Sequence, residues 1–471
     1  MKYLVIVPYQ DTFQWSLSIE FALSLVAEGK DVTLVSCEVV ELRNVKRLLA
    51  LKFGYSYLRS EVLSNLSSKG VNFLSLQTLV WRTRTEKIFR EDGTLNMEDE
   101  LVRVAAASVG DTLRTGTLLD NKKTKRIFRR QMSSARALAT LLDQVLLKYC
   151  EIPITVFTVN GRYTLNKTIK EYFRNRNIST LMLEYGKGLS YTVWEDAQSM
   201  REVESKSIQL WGDGLTSESY QLAINHMNAR LLSGKGVNAT YTRNMESGRL
   251  PEFPANRKIC IFFSTSQIEF LFLDDRIPKS DYQNQQEALH DLISTLGKEW
   301  HVFLRRHPYG NNNKFGDDEA SRWDEFRCYE NLTIIEPDEP VDSYELARNA
   351  DLTAHFGSSI GADLIFMNSC PVISLGPTEW EHAQKHSKVR NLGELQSFLS
   401  SGFVKEKPEG ILPWAYFYET RGEPFRYIWK DDEGQTFYES IELTIPIREW
   451  VLSLPGKFKL RVKSQPKEAK K

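Results

Sequence analysis

"DLTAHFGSSIGADLIFMNSCPVISLG", Asp351 to Gly376, decides how this chain folds. "DLTAHF" is a short, unalternating apolar run, the pattern of a strand covered on both faces. "GSS" breaks it, "SSIGADLIFMN" reads as a helix, and "PVISLG" reads as the next strand. A strand, a helix and a strand in such close succession imply a parallel pair with a helical crossover.

The same alternation extends upstream. "KICIFF" reads as a strand and "QEALHDLISTLGKE" as a helix with Ala288, Leu289, Leu292, Ile293 and Leu296 on one face. "HVFLRR" and "LTIIE" are two more strands, and "VDSYELARNA" is a short helix with Asp342 and Glu345 in capping-box spacing. The second half is therefore expected to form a parallel doubly wound sheet. The first half opens as βαβ: "YLVIV", a helix with Ile19, Ala22, Leu23 and Val26 inward, a stop at "EGKD", then "VTLVS". It lacks GxGxxG, so a nicotinamide or flavin site is not expected there. From Val40 to Cys150 the signal is mostly helical and charged, with "TKRIFRRQMSSARALATLLDQVLLKY" the clearest amphipathic stretch. "ITVFTVN", a helix near Asn166 to Arg174, and "TLMLEYG" then resume the α/β alternation.

"GKGVNATYTRNMESGRLPEFPANRK" is rich in glycine and proline and reads as a linker, which places a boundary near residue 250. The expected organisation is a first Rossmann-like domain over residues 1–250 with a helical insertion, a second over 251–425, and a C-terminal segment over 426–471. The fold class is α/β, with the two domains facing each other across a cleft.

Composition narrows the function classes. The 471 residues carry 61 Lys+Arg against 61 Asp+Glu, a formal net charge of zero. That balance argues against a nucleic-acid partner. Five widely spaced cysteines include no CxxC, so neither a zinc knuckle nor a disulfide framework is indicated, and a reducing cytoplasm is expected. The apolar run in "MKYLVIVPYQ" is too short for a signal peptide, and no stretch approaches the ~18 apolar residues of a membrane span.

Two motifs carry chemistry. In "LRRHPYGNNN" two arginines and a histidine end a buried strand, and Pro308 forces a turn. Alternation puts Arg305 and His307 on one side, suited to a phosphate or a carboxylate, and Arg306 on the other, where pairing with a core carboxylate is expected. In "HFGSSIGAD" small residues at Gly357, Ser358 and Ser359 open a helix, whose free N–H groups and dipole suit a phosphate. A plain serine N-cap is the structural alternative. Asp363, a turn further on, is placed to meet a ribose hydroxyl or to face solvent. His382 and His386 are four apart, but the HExxH glutamate is missing, and no metal is expected.

"EPVDSYELARNADLTAHFGSSIGADLIFMNSCPVISLG" resembles the donor half of bacterial surface-carbohydrate transferases, namely the capsular polysaccharide, Kdo and sialic acid transferases with HP and SS/ST motifs. The resemblance covers roughly Arg257 to Trp380. It implies the GT-B architecture and a metal-independent transferase without cofactor. The donor would be a nucleotide-sugar, in the narrower reading a CMP-linked acidic keto-sugar, and the acceptor a glycan or lipid-linked glycan. It implies that His307, Ser358 and Ser359 hold the nucleotide phosphate beside Arg305 and Gly357. Asp363 stands where the capsule enzymes usually carry glutamate. The family's Asp/Glu–x–Gly base matches Glu184 in "LMLEYGKGLSY", with Glu91 or Asp92 of "REDGT" as a rival. "FFSTSQIEF" follows the first strand of that half, so Ser264 and Ser266 are expected near the donor. Two other readings remain: a teichoic-acid-type polyol-phosphate transferase, or a non-catalytic glycan-binding protein of the same fold. The tail "KFKLRVKSQPKEAKK" carries seven Lys/Arg, and a peripheral contact with anionic membrane is its functional reading.

Overall fold

The structure is a computed structural model. It describes residues 1–8, 11–41, 58, 60–80, 102, 104–106, 109, 122–161, 163–195, 199–232, 245–265, 280–307 and 322–443. The chain divides into two compact units, and both are discontinuous. The first comprises Met1–Arg90, Met132–Glu195 and Glu423–Lys471; the second comprises Glu91–Gln131 and Asp196–Gly422. Residue 250, the expected boundary, lies inside the second unit.

The first unit begins β1 (Lys2–Val7), α1 (Thr12–Ala27), β2 (Asp31–Glu41), α2 (Ser60–Ser68) and β3 (Asn72–Val80). Next come α3 (Lys122–Tyr149, of which the part from Met132 onward belongs to this unit), β4 (Ile154–Val159), α4 (Thr164–Arg174), β5 (Thr180–Tyr185) and β6 (Ser190–Trp194). Leu4 to Val7 are wholly buried because helices cover both faces of the sheet. On one face Trp15, Leu17, Ile19, Phe21, Ala22 and Leu23 of α1 pack on Val5, Val7, Val32 and Leu34. On the other, Leu138, Leu141, Leu142 and Val145 of α3 and Ile169 and Phe173 of α4 pack on Leu4, Ile6, Val35 and Val156. The side chain of Asp11 caps α1 by accepting from Gln14 N at 2.8 Å. Strand β3, parallel to β2, lies in the stretch that was expected to be mostly helical. Residues 42–57, 81–101 and 110–121 of that stretch are outside the described residues.

The second unit starts with α5 (Met200–Asp213) and α6 (Ser217–Leu231), followed by β7 (Lys258–Phe263), α7 (Gln285–Leu296), β8 (Trp300–Arg305), β9 (Leu332–Ile335), α8 (Ser343–Arg348) and β10 (Leu352–His355). It continues α9 (Ile360–Met367), β11 (Val372–Ser374), α10 (Leu392–Ser400) and α11 (Leu412–Thr420). Every strand and helix read from Arg257 to Gly376 is present. Side chains alternate across this sheet: Cys260, Phe262, Val302 and Leu304 face α7 and α10 in one core. Phe263, Arg305 and His355 therefore point to the opposite face.

The chain then returns to the first unit with β12 (Glu423–Pro424) and a small sheet of β13 (Ile428–Lys430), β14 (Thr436–Tyr438) and β15 (Ile441–Glu442). Glu20, fully buried on α1, accepts the backbone N–H of Arg426 at 2.7 Å, Tyr427 at 2.9 Å and Ile428 at 2.9 Å. One carboxylate thereby ties the C-terminal segment to the first unit.

The strand orders are β12-β6-β5-β4-β1-β2-β3 and β11-β10-β7-β8-β9. Strands β1 to β5 are parallel, with β6 antiparallel at their edge, and β7 to β11 are all parallel. Both units are thus Rossmann-like. In each, the first three strands run outward one way and the next two the other way. The order reverses between β1 and β4 in one sheet and between β7 and β10 in the other. At such a switch point the connections leave in opposite directions, and a crevice opens beyond the carboxyl ends.

Candidate functional site

In the second unit the switch point brings several expected residues together. Strand β7 ends at Phe263, and Ser264 follows, 3% exposed. Strand β8 lies beside it, with Phe263 paired to Arg305, and ends in His307. The backbone N–H of His307 donates to Ser264 Oγ at 2.8 Å, which joins the two strand ends. Gln285 at the start of α7 fixes the next residue: its Oε1 accepts from Thr265 N at 2.9 Å, and its Nε2 donates to Thr265 O at 3.1 Å. On the other side of β7, β10 ends at His355 and leads into the Gly357–Ser359 turn. Gly357 has φ +70°, a backbone that favours glycine. Ser359 is the exposed N-cap of α9, and its hydroxyl makes no capping bond. Ser358 is 8% exposed. Two serine hydroxyls at the start of α9 thus stand beside Ser264 and His307 across adjacent strands, while Gly361 N and Ala362 N of its first turn already donate to Ser358 O at 2.9 Å and Ser359 O at 3.3 Å. That arrangement has the donors and the dipole an oxyanion requires. Ser266, Pro308 and the asparagines after it are outside the described residues.

The loop is held from below. His355 is fully buried, and both ring nitrogens lack a hydrogen-bond partner. Burial, reinforced by the nearby Arg390 charge, pushes its pKa down to about 3, so the ring is neutral. The ring presses on Gly361 in the first turn of α9: a Cβ there would stand 2.3 Å from His355 Nε2. Only glycine permits this approach.

Two residues, Arg305 and Asp363, are placed differently from expectation, and Arg306 is paired with a carboxylate as expected. Arg305, 5% exposed, spends its guanidinium on the protein: it donates to Glu336 O at 2.6 Å, Glu339 O at 3.1 Å and Ser343 Oγ at 3.4 Å. It braces the loop between β9 and α8. Desolvation lowers its pKa, partly offset by Glu339 and Asp338. Arg306 pairs with Glu336, which also accepts from Arg327 at 2.7 Å. Asp363, 1% exposed, does not face solvent. Its Oδ1 accepts from Arg230 Nε at 2.6 Å, and its Oδ2 accepts from Arg230 at 3.2 Å and from the Tyr344 hydroxyl at 3.2 Å. Those partners occupy the carboxylate that was expected to meet a ribose. Arg230 carried no signal in the sequence, because a residue on a polar helix gives no hint of a partner 133 positions away, and neither did Tyr344, which reaches Asp363 from a separate helix 19 positions upstream.

In the first unit Glu184 lies near the end of β5, half-buried. Its Oε1 accepts from Asn160 Nδ2 at 3.0 Å. Asn160 and Gly161 follow β4 with φ of +64° and +67°. The Asn-Gly pair was the available signal for this turn. Glu184 therefore stands one strand from the β1/β4 switch point. Glu91 and Asp92 are outside the described residues. His382 lies in a 3-10 turn (Glu381–Ala383) beside Glu204, with Nδ1 at 3.2 Å, and shares no α-helix with His386. Among the described residues no helix is long and apolar enough to cross a membrane.

No family model matches the chain, and no curated protein matches it. Solved structures that it resembles include glycosyltransferases and UDP-GlcNAc 2-epimerases. The beta Kdo 2,4 transferase KpsC of Thermosulfurimonas dismutans is 13% identical over 56% of this chain and 79% of its own, with a TM-score of 0.37. The UDP-GlcNAc 2-epimerase of Methanocaldococcus jannaschii is 12% identical over 88% and 98%, with a TM-score of 0.29. A glycosyltransferase of Rickettsia africae ESF-5 is 10% identical over 89% and 93%, with a TM-score of 0.25. With scores of this size, the functional reading stands on the chain's own residues.

Proposed function

We propose that the protein is a GT-B-type glycosyltransferase that moves a sugar from a nucleotide-sugar to a surface glycan or lipid-linked glycan. The observation that carries this reading is the convergence of Ser264, His307 and the Gly357–Ser359 turn at the β7/β10 switch point. In this reading the leaving nucleotide phosphate rests on the N-terminus of α9, where Ser358 and Ser359 donate hydroxyls. The His307 side chain supplies a further donor. Arg305 orders the neighbouring loop, and Asp363 acts inside the protein. Charge that develops on the phosphate oxygens as the glycosidic bond breaks meets dipoles already in place, so stabilisation requires little reorganisation. Glu184, steadied by Asn160, would take the proton from the acceptor hydroxyl as it attacks the anomeric carbon. A CMP-linked acidic keto-sugar is the donor we favour, because the HP and SS motifs resemble those of the Kdo and sialic acid transferases. The basic tail would hold the enzyme to the anionic inner face of the membrane.

The test is a thermal-shift panel of CMP, UDP, GDP and CDP-glycerol on the full chain. A ligand at a hundredfold its Kd adds about 2.7 kcal/mol to stability. Stabilisation by CMP above the others supports this reading. Stabilisation by CDP-glycerol alone would move the assignment to a polyol-phosphate transferase, and no shift with any of them would remove the nucleotide-sugar assignment.

A further inference from the structure

Asp363 poses an electrostatic problem for the site. A carboxylate in the first turn of α9 is stabilised by the positive end of the helix, but it weakens the field available to an incoming phosphate. Asp363 is 1% exposed, so water does little to screen it. Left alone it would set a negative charge behind Ser358 and Ser359.

Arg230 arrives from α6. Its Nε and one terminal nitrogen bond the two carboxylate oxygens at 2.6 Å and 3.2 Å, a bidentate pair. The same terminal nitrogen donates to the carbonyl of Ser359 at 3.3 Å, in the phosphate turn itself. Tyr344 of α8 closes the arrangement: its hydroxyl lies 3.2 Å from Asp363 Oδ2 and 3.1 Å from the Arg230 carbonyl. The guanidinium also lies 5.0 Å from the centre of the Trp414 ring. Burial alone would lower the Arg230 pKa, but Asp363 outweighs it and the guanidinium stays charged.

We propose that Arg230 is a positioning residue for anion binding: it cancels the charge of Asp363 and leaves the first turn of α9 free to hold a phosphate. This rests on reading that turn as a phosphate site. A brace without an electrostatic role would make the loss of either partner equally harmful. Charge cancellation makes the two losses opposite in sign. Arg230→Gln leaves an uncompensated negative charge at the site, whereas Asp363→Asn leaves a positive one.

The experiment is calorimetric titration of the full chain with inorganic pyrophosphate, which needs neither sugar nor base. Arg230→Gln is expected to lose about tenfold in affinity, on the order of one charge at intermediate dielectric. Asp363→Asn is expected to bind at least as tightly as the wild type, and the double variant within about threefold of it. The double variant buries no unpaired charge, so it keeps the test decisive if either single variant fails to fold. Equal losses in both single variants, or a double variant about tenfold weaker than the wild type, would overturn the proposal. If the wild type binds nucleotide and pyrophosphate without this pattern of signs, the Arg230 proposal alone falls. If the wild type binds neither, the phosphate site falls with it.

Discussion

His355 and Gly361 are in such close contact that a single added methyl would collide with the imidazole, 2.3 Å from Nε2. The histidine ends β10, and the glycine is the second residue of α9, just after Ser358 and Ser359. The ring thus sets how closely α9 approaches the sheet. Gly361→Ala must push the helix, the ring or both. Overpacking of this kind costs about 1–3 kcal/mol. We expect lower stability in urea unfolding and, in protein that still folds, weaker nucleotide binding, since the serine donors would move. Unaltered nucleotide affinity would show that the turn is set by other contacts.

The neutrality of His355 makes stability depend on pH. Its pKa is about 3 in the fold against an ordinary 6.5. Above pH 6.5 neither state carries the proton, and the group has no effect. Below it the unfolded chain gains a proton that the fold refuses, so stability falls steadily as pH drops toward 3. His355→Gln removes this titration. The slope of unfolding free energy between those limits should flatten in the variant, and parallel slopes would mean that the buried ring does take up the proton.

Glu20 is the anchor of the C-terminal segment. Its carboxylate accepts three backbone N–H groups, at 2.7, 2.9 and 2.9 Å. Glu20→Ala would orphan all three. Only Ile428 is buried and the other two bonds are part-buried, so at about 1–3 kcal/mol for an unsatisfied buried donor a loss of that order is expected, with hydrogen exchange rising first at residues 426–428. Protection there equal to the wild type would contradict the anchoring role.

The strands from Arg257 to Gly376 were legible because each is an apolar run buried on both faces and punctuated by glycine, serine or proline. Strand β3 was not. It is the edge of its sheet: Leu74 and Leu76 face the core, while Phe73 is 40% exposed, and a one-sided strand among charged residues resembles an amphipathic helix. The boundary near residue 250 misled for another reason. Glycine and proline mark irregular backbone, but here Asp342 N donates to Arg249 O at 2.9 Å and Glu246 N to Pro340 O at 2.9 Å, so the segment is pinned within the second unit. Discontinuous units leave no compositional mark. Within the site, the turn at Gly357–Ser359 and the strand end at His307 could be read locally. The Arg305 brace and the Asp363–Arg230 pair depend on contacts distant in sequence, which no motif encodes.

Glu184 offers a kinetic test of the first unit. Glu184→Gln keeps the hydrogen bond from Asn160 but cannot take a proton. Nucleotide release in the presence of acceptor should fall by roughly 10²–10⁴, with nucleotide affinity unchanged. If Glu184→Gln turns over normally while Asp92→Asn is inactive, the base is the "REDGT" aspartate.

The central claim is that a nucleotide phosphate rests where β7, β8 and β10 end, and the most direct measurement is the nucleotide affinity of His307→Ala and Ser358→Ala beside the wild type. Each variant should keep its fold and lose the equivalent of about 1.5–3 kcal/mol, roughly tenfold to a hundredfold in Kd. Folded variants that both bind nucleotide as tightly as the wild type would contradict the account.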